Sequence, residues 1–282
     1  MPKIIKLSKV IDEIKKTVQV GAKQIIITIH ELNISYAIYL GGPDNIYCID
    51  IQVLKDNELN NKYFDITTAN LNNIYYDIGC SIDKSFRRGT DTTMILKLAM
   101  SYIQQNYPYV NKLSFKDASS KECDNGHIID LYNMSYLTTG QTWYEKNFQA
   151  YIEKDTDRKK FAEYKKNFQE KKHELPWEVI TQFIRGSSSI EENEMERIYN
   201  ESNTWQDFFG TLRNKIGIAE FCNFMSPWLN NFVQQIMKFN LSSPQYIIPI
   251  EGPQIPYTEI RGGKRKIYTR KQKKRLPRNY AE

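Results

Sequence analysis

Between Asn72 and Phe148 the chain runs through a fixed succession of elements that only a few folds can accommodate. An apolar strand, Ile74 to Ile82, leads into a basic turn, Ser85-Phe86-Arg87-Arg88-Gly89-Thr90. A helix follows from Asp91, capped by Thr90 or Asp91, with Met94, Ile95, Leu98, Ala99, Tyr102 and Ile103 on one face. Tyr107-Pro108 ends it, because the residue before proline disfavours helical geometry. A second strand, Lys112 to Phe115, and an aromatic segment, Thr142 to Phe148, complete the run. Strand, crossover helix and strand predict a βαβ unit, with 74–82 and 110–116 as parallel neighbours. A basic glycine turn that opens into a helix N-terminus gathers backbone amides and the positive end of the helix dipole, which suits a pyrophosphate.

The rest of the chain sets bounds. At 282 residues, with 40 % hydrophobic and 26 % charged residues, it has the length and composition of a globular protein with a sizeable core. No apolar run of about 18 residues exists, so no membrane association is expected. The N-terminal Met1-Pro2-Lys3-Ile4-Ile5-Lys6 lacks the pattern of a secretory signal. Cys48, Cys80, Cys123 and Cys222 are scattered, and the only histidines are His30, His127 and His173. No metal site is expected, and reduced thiols in an intracellular setting are the default.

Residues 8–22 read as a helix with Val10, Ile11, Ile14 and Val18 on one face. Ile25 to Leu40 reads as one long strand or two, Gly41-Gly42-Pro43-Asp44-Asn45 as a turn, and Ile46 to Val53 as the returning strand. Ile128 to Leu137 is a further strand candidate, and 142–152 a helix. Residues 151–175 mix acid and base at helical spacing, as a solvated helix does. Segments 177–185, 190–200, 204–214 and 217–238 read as helices, and 241–260, with four prolines, as an extended linker. The division is therefore 1–155, an α/β domain; 156–240, helical; 241–260, linker; and 261–282, a basic tail.

Segment 72–150 resembles the acetyl-CoA-binding half of the GNAT superfamily of N-acetyltransferases. In that family the strand before the turn presents backbone groups to the pantetheine arm. A Gln/Arg-x-x-Gly-x-Gly/Ala turn wraps the pyrophosphate, and a Tyr on a later helix often protonates the leaving thiolate. Tyr144-Glu145-Lys146-Asn147-Phe148 is similar to the family's "YEKxGF" ending. Arg88-Gly89-Thr90-Asp91-Thr92-Thr93 taken with Thr139-Gly140-Gln141-Thr142-Trp143-Tyr144-Glu145 is similar to GNAT-like proteins of large DNA viruses. The resemblance implies a GNAT-like mixed sheet with flanking helices, an acetyl-CoA site formed by Arg87, Arg88, Gly89 and Thr90, and Tyr144 as general acid. It also implies a virion setting as one possibility. With Gly89 aligned on the family's central glycine, Phe86 stands where Gln or Arg belongs and Asp91 where Gly or Ala belongs. A carboxylate there opposes a pyrophosphate by roughly 1–4 kcal/mol. Only one of the two late strands of the family fold has a candidate segment. These departures imply a degenerate member.

Other candidates have simpler roles beside the chemical one. Trp143 reads first as a core anchor, and Asp117 and Glu122 as turn formers before general bases. Cys123 and His127 have the spacing of a nucleophile pair, but Asp124-Asn125-Gly126 breaks any helix between them. The tail is the strongest electrostatic signal. Residues 261–282 hold ten Lys or Arg and one acid, so of a net +6 the first 260 residues carry −3. Lys264, Arg265, Lys266, Arg270, Lys271, Lys273, Lys274 and Arg275 form two clusters suited to nucleic acid or an acidic protein, and of nuclear-import type. Three functions follow: a degenerate GNAT-like structural or interaction component contacting a polyanion through its tail, an active acetyl-CoA-dependent N-acetyltransferase, or a non-specific nucleic-acid-binding protein.

Overall fold

Strands β1 (Asp12–Val20), β2 (Lys23–Glu31), β3 (Ser35–Gly41) and β4 (Tyr47–Leu54) form an antiparallel meander. In the computed structural model, residues 9–56, 65–184, 189–238, 244–251 and 255–260 are described. The meander belongs to a nine-stranded sheet completed by β5 (Thr68–Ile74), β6 (Lys112–Phe115), β9 (Tyr151–Ile152), β10 (Tyr246–Pro249) and β11 (Thr258–Ile260). The order is β11-β1-β2-β3-β4-β5-β6-β10-β9, and β5–β6 is the parallel pair among antiparallel neighbours. Helix α1 (Thr90–Asn106) makes the crossover between them, as a parallel connection requires. The chain is thus a mixed α/β protein with one large sheet.

Several expectations are corrected. The helix expected over 8–22 is β1: Val18 and Val20 alternate into the core, and Gly21, at φ 55°, turns the chain back into β2. Apolar residues at 10, 11, 14 and 18 mimic a helical stripe, but β-branched Thr17, Val18 and Val20 favour the strand. The strand expected over 74–82 lies earlier, at 68–74. After Ile74 the chain leaves the sheet and forms a single 3-10 turn at Ile78–Cys80, where Asp77 accepts from the Gly79 amide at 2.6 Å. The Gly79 carbonyl then packs on Gly42, where a Cβ would meet it at 1.7 Å. Ile128 to Leu137 is strand only to Asp130, as β8, which pairs with β7 (Ser120–Glu122); α2 (Leu131–Thr139) continues it. The aromatic helix is shorter than expected, α3 (Trp143–Phe148), with Thr142 and Glu145 forming a capping box.

The helical segment comprises α4 (Asp155–Glu174), α5 (Trp177–Thr181), α6 (Glu192–Glu201), α7 (Trp205–Met225) and α8 (Leu229–Phe232), followed by a π-helical turn over Val233–Met237. Helix α7 bends at Gly217, whose φ of 80° and ψ of 166° only glycine tolerates easily. Trp205, Phe168, Phe208, Phe209 and Phe232 are fully buried and pack on one another, with Phe168 and Phe209 stacked on Trp205, Phe232 edge-on to it, and Trp205 Nε1 donating to the Phe168 carbonyl at 2.6 Å. These rings belong to the same continuous core as the sheet residues. The 241–260 segment supplies two strands: β10 pairs between β6 and β9, and β11 covers part of the edge of β1. Strands β9 and β10 thus lie side by side in the sheet although the five helices separate them along the chain.

The free thiols expected at all four cysteines are also corrected. Cys48 bonds to Cys80, and Cys123 to Cys222, with Cα–Cα distances of 5.8 and 5.6 Å. Spacing in sequence carries no information on such pairs; the fold brings the 3-10 turn onto β4 and the β7–β8 hairpin onto α7. Cys123 is therefore not a free nucleophile beside His127. Among the described residues no helix is long and apolar enough to cross a membrane, and no cluster of ligands could hold a metal ion.

Candidate functional site

The parallel pairing of β5 and β6 is brief. It spans Thr68–Asn70 against Lys112–Ser114. Beyond it β5 stays with β4, while β6 turns to β10. The cause lies in the β4–β5 register: Ile51 pairs with Leu71 and Asp50 with Asn73, so Asn72 is an extra residue. Its side-chain Nδ2 donates to Asp50 Oδ1 at 3.3 Å. A bulge of this kind bends the strand and ends its pairing on the far side. The parting strands leave a small wedge bounded by Leu71 to Ile74 on one side and by Phe115, Ala118 and Tyr144 on the other.

From the wedge a cleft of about 740 Å³ opens outward, within the range typical of small-molecule sites. Ile74, Tyr75 and Tyr76 form one wall. The β7 segment from Ala118 to Glu122, with Leu131, Met134 and Trp143, forms the other. Arg88, Gly89 and Thr92 close one end. Both disulfides brace these walls. Cys48–Cys80 holds the segment that follows Tyr76, and Cys123–Cys222 holds the hairpin that begins at Ser120. Asn125 adds hydrogen bonds to Asn223, from its backbone amide and its side chain, and to the Ser226 hydroxyl.

The turn at the closed end has a definite conformation. Gly89 sits at φ 82° and ψ −72°, and the Thr90 amide donates to the Arg88 carbonyl at 3.1 Å, closing a γ-turn of the strained hand. A Cβ on Gly89 would meet nothing within 4 Å, so the space over its backbone is open. Among the described residues the amides of Arg88 and Gly89 donate to no protein acceptor. The Thr92 hydroxyl oxygen is buried without a hydrogen-bond partner. Donors without acceptors beside an open cavity suit an anionic or carbonyl-bearing ligand.

Asp91 does not oppose this arrangement as the sequence suggested. It is buried and lines no chamber. Its carboxylate accepts from the Arg87 amide at 2.7 Å, while its own amide donates to the Arg87 carbonyl at 3.1 Å. The Arg87 guanidinium at 3.5 Å and Lys23 at 3.9 Å balance its charge. Asp91 is thus a staple that holds the turn shut on itself. Lys23 extends the network by donating to the Ser85 carbonyl at 2.6 Å and to the Ser85 hydroxyl. Hydrogen bonds from Ser81 and Ser85 hold the Asp83 carboxyl down at about 2. Of the four residues predicted around a pyrophosphate, Arg88 and Gly89 face the cleft and Thr90 lies just beyond it. Arg87 lines neither chamber and turns to Asp91.

Tyr144 lies where the wedge meets the cleft and lines both. It is buried, with its ring 4.3 Å from Phe115 and 4.9 Å from Trp143. Burial first, and the Asp117 charge second, push its phenol well above the usual range, so the hydroxyl stays protonated. Asp117 is itself buried. Its Oδ1 accepts from the Ser119 amide and hydroxyl at 3.1 and 2.6 Å, its Oδ2 has no partner, and burial raises its pKa. Glu122 is exposed on the cleft wall. Trp143 is only half-buried and lines the cleft as well as packing on the core. The bulge at Asn72, the hydroxyl of Thr92 and the α2 wall have no mark in the sequence apart from the threonine run after Gly89. Lys264, Arg265, Lys266, Arg270, Lys271, Lys273, Lys274 and Arg275 lie outside the described residues, which end at Ile260 on the sheet edge.

Compared with protein-family models, with curated proteins and with solved structures, the chain matches none.

Proposed function

We propose that the cleft binds acetyl-CoA and that the chain is a GNAT-like N-acetyltransferase. The observation that carries this reading is the parting of β5 from β6 at the Asn72 bulge. It leaves the Asn72 to Ile74 edge open to the cleft, and a thioester arm lying along that edge would run between Tyr144 at one end and the Gly89 turn at the other. The stapled Asp91 removes the main objection from sequence to a pyrophosphate at the turn, and so favours an active site over a degenerate one.

In the reaction an acceptor amine attacks the thioester carbonyl. The C–N bond forms, the C–S bond breaks, and the amine gives up a proton to a base. Glu122, exposed on the cleft wall, is the base we assign. Burial raises the Tyr144 phenol above its ordinary value, which weakens it as an acid toward the departing thiolate. It instead donates a hydrogen bond to the departing sulfur, and the thiolate is protonated from solvent. The test is thiol release from acetyl-CoA with a panel of amines. All four cysteines are paired, so a thiol reagent meets no background from the native chain. Tyr144→Phe should lower turnover roughly 10–100-fold while leaving acetyl-CoA affinity intact. Turnover equal to the native chain's would remove Tyr144 from the mechanism.

The tail supports a second, separate reading. Ten Lys or Arg against one acid in residues 261–282 suit a polyanionic partner, nucleic acid or acidic protein.

A further inference from the structure

The cleft continues past the Gly89 turn. A second chamber of about 420 Å³ shares Gly89, Met134, Ser135 and Trp143 with the first. Its far side is formed by Thr90, Thr93, Lys146 and Arg213, the last contributed by α7 of the helical segment. No acidic side chain lines this chamber. Most other cations near the fold's grooves are matched: Arg197 with Glu194 and Glu201, Lys165 with Glu145, Lys23 with Asp83 and Asp91. Arg213 is half-buried and Lys146 exposed, and neither has an ion pair or side-chain hydrogen bond among the described residues. A half-buried guanidinium without a counter-charge is costly to desolvate, and an arriving anion offsets that cost.

We infer that this chamber is a phosphomonoester subsite. Resting on the acetyl-CoA reading above, it receives the 3′-phosphate end of the cofactor, with Arg213 as the residue that selects for it. The position fits, since the chamber begins where the pyrophosphate turn ends. The chemistry fits as well. Two cations match a phosphate dianion, threonine hydroxyls supply neutral donors, and a guanidinium engages phosphate through two parallel hydrogen bonds. Helix α7 is fixed against the cleft by the Cys123–Cys222 bond and by the hydrogen bonds from Asn125. The helical segment between β9 and β10 therefore gains a role: it carries a ligand-selecting side chain to the sheet.

Calorimetric titration of the full chain with CoA and with dephospho-CoA, which lacks only the 3′-phosphate, tests this. The native chain should prefer CoA by about tenfold or more. Arg213→Ala should bind CoA about tenfold more weakly with dephospho-CoA unchanged, and Arg213→Lys should fall between. Equal native affinity for the two ligands, or an Arg213→Ala loss equal for both, overturns the inference while leaving acetyl-CoA binding in place. Binding of neither ligand overturns the acetyl-CoA reading itself, and this inference with it.

Discussion

Replacing Gly89 with alanine separates backbone strain from ligand approach. At φ 82° and ψ −72° an L-residue is in a disfavoured region, at a cost of roughly 1–2 kcal/mol. The new Cβ meets no protein atom within 4 Å, so no steric term adds to that cost. For a chain of this size the melting temperature should fall by about 2–8 °C. The same Cβ projects into the space over the turn where phosphates would approach, so acetyl-CoA affinity should fall by at least about tenfold. Gly21 provides the control. It too has positive φ, at 55°, with open space around a Cβ, but it lies in the β1–β2 hairpin and lines neither chamber. Gly21→Ala should lower stability by a similar amount and leave affinity unchanged. Differential scanning calorimetry and ligand titration on the three proteins decide the matter. A Gly89→Ala protein that melts lower yet binds as the native chain does would refute the placement of phosphate at the turn.

Opening either disulfide, by Cys48→Ser with Cys80→Ser or by Cys123→Ser with Cys222→Ser, should cost roughly 2–4 kcal/mol. Each should also weaken ligand binding, because each bond braces a cleft wall; unchanged affinity in both pairs would contradict that bracing. Lys172 is buried, with its ammonium donating to the Tyr199 carbonyl at 2.9 Å and standing 3.6 Å from the Tyr199 ring centre. Burial lowers its pKa, so the folded state binds the proton less well than the unfolded chain. Its penalty is therefore full at neutral pH and shrinks as pH rises through the lowered value toward the ordinary one near 10.4. Lys172→Met should raise the melting temperature at pH 7, with the gain narrowing in alkali; a drop of several degrees at pH 7 would show that the carbonyl and ring contacts outweigh desolvation. Deleting residues 261–282 removes a net +9 and should abolish gel-shifted nucleic-acid complexes, which in the full chain should weaken steeply with salt. Undiminished binding by the truncated chain would place the interaction elsewhere.

What could be read in the sequence was local. The stripe from Met94 to Ile103 specified α1, the Gly41–Asn45 turn specified the β3–β4 return, and the Trp and Phe spacing after Pro176 specified helices, since each pattern lies within one element. The separate helices expected over 204–214 and 217–238 meet instead in α7, which bends at Gly217. The failures were of two kinds. Some segments satisfied two patterns, and tertiary pairing chose between them: β1 has a helical apolar stripe but a partner strand on each side. Others acquired meaning only from distant chain. Tyr246 to Pro249 and Thr258 to Ile260 are too short to read as strands alone, and become so against β6 and β1. The cysteine pairs, the turned-in carboxylate of Asp91 and the arrival of Arg213 at the cleft are likewise products of packing. Gly89 and Tyr144 stand in contiguous patterns and could be singled out from the sequence; that both line one cleft beyond the Asn72 bulge could not be read there.

Whether the gap between β5 and β6 is an acetyl-CoA site is tested most simply by direct titration of acetyl-CoA into the intact, disulfide-bonded chain. Saturable binding near the micromolar range, about −8 kcal/mol, with a negative heat-capacity change from burial of the pantetheine arm, is the predicted result. No heat of binding at millimolar acetyl-CoA would contradict it.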